Sequence, residues 1–284
     1  TNYASYRDGA PETRGAVTGG ATGDMDEKVM GAYFELNGVT TIAGRDLHIN
    51  TGMRYAHTDQ TVIGPSQIGT TIVDITAKSK YENFLPSINL TYDVMDNVKI
   101  RASASRTMTR PDASQILPGI TFSDPSALMA SAGNPDLKPI TADVWSAGVV
   151  WAPVSNFSLS VDYYNWKIKN EVKTLSTDQL LLAEYQCRNG LPNNTSASCQ
   201  NVTDWVSRDA AGNLTRVYTP KLNVASQNLQ AVTVGAKYQQ DIGRFGSLMF
   251  SGNYTNMLKR EVEPLPGAKK LDLLSDPYNM WYYD

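Results

Sequence analysis

The stretch Phe157-Ser158-Leu159-Ser160-Val161-Asp162-Tyr163 decides the fold class. Its odd positions are apolar or aromatic and its even ones polar, the period of a strand whose two faces meet different surroundings. Val98-Lys99-Ile100-Arg101-Ala102-Ser103-Ala104-Ser105 repeats the pattern with charges on the polar side. Leu47-His48-Ile49-Asn50, running on through Met53-Arg54-Tyr55, does the same. So do Ile88-Asn89-Leu90-Thr91-Tyr92-Asp93, Val232-Thr233-Val234-Gly235-Ala236-Lys237-Tyr238 and residues 248–255. Residues 29–37 and 142–151 carry a blurred version. Helical periodicity is weak almost throughout.

The connections alternate between short and long. Asp93-Val94-Met95-Asp96-Asn97, Ala152-Pro153-Val154-Ser155-Asn156 and residues 240–246 read as short turns, and residues 38–45 as a slightly longer one. Between them lie long segments, about residues 57–80, 107–141, 170–228 and 258–278. Loops of that length are uncommon inside compact soluble domains. Tight turns at one end of every hairpin and long loops at the other predict an all-β, antiparallel transmembrane β-barrel with periplasmic turns and extracellular loops. A soluble sandwich seldom sorts its loops this way. Trp145, Trp151, Tyr163, Tyr164, Trp166, Tyr92, Tyr238 and Tyr254 lie near strand ends, where amphipathic rings sit at lipid headgroups. With the apolar positions toward lipid, His48, Asn50, Arg54, Lys99, Arg101, Asp162, Lys237 and Asn253 line a wet interior. On the lipid face such charges would cost about 2 to 4 kcal/mol each near the midplane.

Composition narrows the classes further. The 284 residues carry 25 Lys plus Arg against 28 Asp plus Glu, a net charge of −3. With no basic cluster there is no electrostatic footprint for nucleic acid. No run of about 18 apolar residues occurs, so a transmembrane helix is excluded. The 15 Tyr, 5 Trp and 6 Phe offer more apolar surface than disordered chains carry. Charged residues are only 19% of the chain while Asn, Ser, Thr and Gly abound, as in exported β proteins. The first twenty residues lack a basic start and an apolar core, so a leader is expected to have been removed, or the chain to be an internal piece. Cys187 and Cys199 stand twelve positions apart in a polar stretch. In an oxidising compartment that spacing reads as a local disulfide, the alternative being two free thiols.

Four motifs then carry a resemblance. Gly52-Met53-Arg54-Tyr55-Ala56-His57-Thr58 comes first. It is followed by Tyr81-Glu82-Asn83-Phe84-Leu85-Pro86-Ser87-Ile88-Asn89-Leu90, Ser105-Arg106-Thr107-Met108-Thr109-Arg110-Pro111 and Gly133-Asn134-Pro135-Asp136-Leu137-Lys138-Pro139. In order and spacing the set resembles TonB-dependent outer-membrane receptors, particularly the carbohydrate-associated receptors of Gram-negative bacteria, over about residues 28–257. Physically, Pro86 is expected to open a strand and Pro111 to end one by lacking a donor, and Gly133-Asn134-Pro135 to form a turn. The resemblance implies capture of a scarce solute and passage powered by the TonB complex, acting through a plug segment not visible here. At about 29 residues per strand, a 22-stranded barrel would need roughly 640 residues, so residues 1–284 are expected to be a middle-to-late arc of the barrel domain.

No catalytic constellation is legible, and the chain reads as a non-enzyme without cofactors. His48 and His57, nine apart on a strand pattern, point to opposite faces and cannot share a metal. Asp24-Met25-Asp26-Glu27 lacks the Gly and the spaced acidic ligands of a calcium loop. Candidate solute contacts sit in the long loops. Trp205 offers a stacking surface, and Arg208, Asp209, Arg216 and Tyr218 offer hydrogen bonds suited to a sugar or other polar ligand. Arg110 and Asp112 stand at the mouth of another loop. The expected partners are the TonB complex, a small solute and outer-membrane lipid. The competing readings are a passive porin and a secreted β-rich adhesin or carbohydrate-binding domain.

Overall fold

The computed structural model describes residues 23–68, 71–117, 120–122, 129–190, 199, 202–203, 205–223, 226–263 and 269–275. The strands are β1 (Asp24–Ile42), β2 (Arg45–Ile68), β3 (Thr71–Met95), β4 (Val98–Thr109), β5 (Ile120–Phe122), β6 (Met129–Ala132), β7 (Ile140–Val154) and β8 (Phe157–Lys169). They continue with β9 (Val172–Thr174), β10 (Val206–Arg208), β11 (Leu214–Asn223), β12 (Gln227–Asp241), β13 (Ser247–Val262) and β14 (Leu271–Asp272). Among the described residues one helix of three turns, α1 (Thr177–Arg188), a single helical turn (Ala113–Ile116) and a short 3-10 turn (Gly243–Phe245) interrupt them. No described helix is long and apolar enough to cross a membrane.

Nine strands form one antiparallel sheet in the order β1-β2-β3-β4-β7-β8-β12-β13-β14. Among the described residues the two ends of that path do not pair, so the sheet is an open arc. The register assigns each residue a face, because directly opposed residues share one. Thr51, Ile88, Ala104 and Trp145 lie in one row, and Val149 opposes both Ile100 and Val161. Phe157, Leu159, Val161 and Tyr163 lie on this apolar face, opposed on β12 by Tyr238, Ala236, Val234 and Val232. Its side chains stay in the open: Phe34, Trp145, Trp151, Phe250 and Tyr254 are all exposed. Exposed bulk on this scale marks a face that meets something other than water.

The other face is polar. Asn50 donates to Glu35 Oε1 at 2.7 Å and to Asn37 Oδ1 at 2.6 Å, and accepts from Asn89 at 3.0 Å. Ser103 bonds Ser146 at 2.8 Å and Thr233 bonds Thr255 at 2.9 Å. Arg101 Nε donates to Asp162 Oδ1 at 2.7 Å. By register His48, Arg54, Lys99, Lys237 and Asn253 also lie here.

Several boundaries differ from the sequence reading. Residues 57–68 and 71–80 are not a loop: β2 and β3 stay paired from Leu47 and Tyr92 to Ile68 and Thr71. The turn expected over residues 38–45 shrinks to Ala43 and Gly44, both at positive φ (52° and 76°), the conformation of a type I′ hairpin. Pro86 does not open a strand but lies inside β3, opposite Met53. Pairing of β3 with β4 starts one residue later, at Ser87, so the missing N–H falls where the second ladder ends. Tyr164 and Trp166 stack on the polar face with centroids 5.9 Å apart and are not part of the exposed aromatic band.

Candidate functional site

Two of the long connections fold into structures of their own above the polar face. The described residues of 170–223 are organised around α1. Its N-terminus is a capping box: Ser176 accepts from the Gln179 N–H at 3.2 Å and Gln179 Oε1 accepts from the Ser176 N–H at 3.0 Å. Leu180 and Ala183 bury one side of α1 among Leu175, Val202, Val206 and Val217. Val262 of β13 and Leu273 join that cluster, which fixes the module to the end of the sheet. Cys187, near the end of α1, is disulfide-bonded to Cys199, with Cα atoms 5.5 Å apart.

A charge is buried in this module. Glu184 on α1 is 2% exposed and receives two bonds of 2.7 Å from Arg208. Arg188, one turn further on, approaches at 2.9 Å. The Arg208 hydrogen bond holds the Glu184 carboxyl below its ordinary range, against the opposing cost of burial. A buried carboxylate is tolerable only with such partners.

The second connection covers the polar face of β2. Ala56, Thr58, Gln60 and Val62 alternate along that face and are all buried. Val62 packs with Ile116 and Leu137, which belong to residues 112–139. Gly133 is required here, since a Cβ would stand 2.1 Å from the Leu117 carbonyl oxygen.

The two modules are clasped together through the Gly133-Asn134-Pro135-Asp136-Leu137-Lys138-Pro139 motif. Asn134 Nδ2 donates to the Lys221 carbonyl at 3.0 Å. Lys138 N–H donates to Asn223 Oδ1 at 2.6 Å, and Asn223 Nδ2 returns a bond to the Lys138 carbonyl at 2.8 Å. Asn223 also binds the carbonyl of Asn170, a residue at φ 58° that an asparagine side chain tolerates. Lys221 Nζ reaches the Ser114 carbonyl at 2.9 Å, and β11 pairs in parallel with β6.

Most residues singled out from the sequence have partners inside this double cover. Arg110 is paired with Glu27 of β1. Asp112 starts the helical turn, its N–H bonded to Gln115 Oε1 at 2.9 Å. Trp205 packs against the module core. Arg208 holds Glu184 and the Gly212 carbonyl (3.1 Å). Asp209 shapes the turn between β10 and β11, accepting from Ala211 N–H at 2.9 Å and Asn213 N–H at 2.8 Å. Arg216 and Tyr218 stand two apart on β11, on one face of it, with Arg216 exposed and Tyr218 half-buried. Burial pushes the Tyr218 phenol up, and the Arg216 charge offsets part of that rise. Asn134, Lys138, Lys221 and Asn223 were not among the sequence candidates. Among the described residues no group of three or more His, Cys, Asp or Glu is placed to hold a metal ion.

Comparison with known proteins gives a family. Residues 1–275 match the family described as TonB dependent receptor-like, beta-barrel. No curated protein matches the chain. Solved structures similar to it include the ferric enterobactin receptor PfeA of Pseudomonas aeruginosa, at 13% identity and a TM-score of 0.45, covering 83% of this chain and 36% of that one. The siderophore receptor PirA of Acinetobacter baumannii matches at 12% identity and 0.44, covering 85% and 38%. The hemophore receptor HasR of Serratia marcescens, solved with HasA and heme, matches at 10% and 0.45, covering 83% and 40%. The chain thus spans about two fifths or less of the length of these three receptors.

Proposed function

The chain belongs to the TonB-dependent receptor-like β-barrel family, and from that premise we propose that it is part of an outer-membrane receptor for energy-coupled uptake of a small solute. Its apolar face meets lipid and its polar face lines the lumen. Residues 1–284 supply an arc of the barrel domain, and a plug segment in the same receptor relays force from the TonB complex. The observation that carries the reading is the pairing of an open, two-faced strand arc with loop modules clasped over the polar face of that arc. Such a cover sits where a solute enters, which favours capture and controlled passage over free diffusion through a porin.

The proposed solute is polar and rich in hydrogen-bonding groups, with a carbohydrate as the class that the motif resemblance implies. Arg216 and Tyr218 are the proposed contacts, because the other candidates already serve the protein's own structure. The test is binding and uptake by the whole receptor in cells with and without a working TonB complex. Saturable, TonB-dependent accumulation of oligosaccharide is expected, weakened when Arg216 is changed to Ala. Accumulation that is linear in concentration and indifferent to TonB would establish the porin alternative. Selective uptake of ferric siderophore or heme in place of sugar would replace the solute class while leaving the receptor reading in place.

A further inference from the structure

On the apolar face β2, β3, β4 and β7 leave a cleft of about 530 Å³. The row Thr51, Ile88, Ala104, Trp145 crosses it, and the small side chain of Ala104 leaves its middle open. Its upper end is closed by charge: Arg106 Nε donates to Asp143 Oδ1 at 2.6 Å. Lys169 approaches the same carboxylate at 3.4 Å. Lys167 lies directly opposite Asp143 in the register, is exposed, and has no ion-pair partner among the described residues. Two cations thus pair with one carboxylate and a third stands opposite it, an excess of positive charge on the face that also presents Trp145, Val149 and Val161. Phe157 to Trp166 is about the length of strand that crosses a hydrocarbon core at a 45° tilt. Lys167, the next residue, is therefore placed at its border, where basic side chains attract anionic headgroups.

An apolar cleft running down from an excess of positive charge matches an amphiphile with a negative head and an apolar tail. We infer that this cleft is a binding site for one anionic, phosphate-bearing lipid. An acyl chain lies over Ala104 between Ile88 and Trp145, and the phosphate sits among Arg106, Lys167 and Lys169. The inference rests on the membrane placement given under Proposed function.

The test uses the whole protein in detergent, with native mass spectrometry after addition of phosphatidylglycerol or phosphatidylcholine. A single retained phosphatidylglycerol is expected, with phosphatidylcholine held more weakly. Neutralising all three cations (R106Q, K167Q and K169Q together) lowers the phosphatidylglycerol affinity by roughly a hundredfold. Ala104→Trp fills the cleft and removes the lipid with every cation still present, whereas Lys237→Gln, on the polar face, leaves binding unchanged. Inorganic phosphate at millimolar concentration does not displace the lipid; displacement would reveal a free-anion site and overturn the inference. Equal retention of both lipids, or phosphatidylglycerol binding unaltered by Ala104→Trp, overturns the site while leaving the membrane reading intact. Failure of the same protein to insert into vesicles of phosphatidylglycerol or of phosphatidylcholine, measured alongside by co-flotation, overturns both.

Discussion

Arg101 on β4 and Asp162 on β8 are separated by the width of β7, and Gly148 is the residue between them. A Cβ at Gly148 would lie 2.0 Å from Asp162 Oδ1, so the absent side chain is what lets the guanidinium cross to the carboxylate. Gly148→Ala is expected to destabilise the sheet by about 1 to 3 kcal/mol, the usual cost of overpacking. Gly252→Ala, at a position with nothing within 4 Å of the added carbon, is expected to be neutral or slightly stabilising. Thermal unfolding of the two variants in detergent checks the contrast, and equal losses would remove the spacer role of Gly148. Glu184 gives a prediction in pH. Its carboxyl titrates below the ordinary value in the folded protein because of Arg208. The stability it contributes is therefore complete above the unfolded value of about 4.3 and is lost as pH falls through the lower folded value. Hydrogen exchange of the α1 amides, corrected for intrinsic rates, should show protection at pH 6 collapsing in acid. Glu184→Gln should start with weaker protection and lack the acid step.

At the scale of elements, what the sequence reveals depends on whether two faces differ. Phe157 to Tyr163 alternates visibly because, on the placement proposed above, one face meets lipid and the other does not. Residues 57–68 and 71–80 are equally regular strands, yet their alternation is lost because Thr58, Gln60 and Val62 lie under a protein cover. Lys80 and Asp59, on the opposite face, pair at 2.8 Å in a polar setting. The helix α1 had a local signal in Ser176 and Gln179, three apart. The run Leu180-Leu181-Leu182-Ala183 blurs its period. The clasp could not be read at all, since Lys138 and Asn223 meet across 85 residues of chain. Asn223→Ala should loosen both modules together, raising proteolysis within residues 112–139 as well as 170–223. Cleavage confined to one module would show that they open independently. Reducing the Cys187–Cys199 bond, which closes a separation of 12 residues, should weaken the α1 module by roughly 3 kcal/mol in the chain-entropy account. Exchange of the α1 amides with and without reductant measures that directly, while the β2–β3 ladder should stay unchanged.

At the scale of the whole molecule, the sheet sets a condition on its surroundings. β1 pairs with β2 along its full length from Asp24 to Ile42, and among the described residues its other edge meets no strand. At the opposite side β13 is covered over Glu261 and Val262 by β14, and the Arg260 carbonyl accepts from Leu273 N–H at 2.8 Å, leaving Ser247 to Lys259 without a strand on that side among the described residues. Hydrocarbon offers nothing to bond the N–H and C=O groups of such edges, so an open arc is not stable within a bilayer. Closing these nine strands on themselves would give a barrel whose interior holds little beyond side chains. That narrow interior conflicts with the buried row Ala56, Thr58, Gln60 and Val62, already covered by a folded segment at one end, and with the width of two clasped modules. We therefore propose that the strands belong to a wider barrel, in which β1 and β13 pair with further strands. Residues 1–284 alone, refolded into lipid vesicles, are expected to aggregate or to give erratic conductance, whereas the intact barrel that contains them should insert and resist heat and detergent. Stable, uniform conductance from residues 1–284 alone would show that the arc closes without help, and the wide-barrel placement would fall with it.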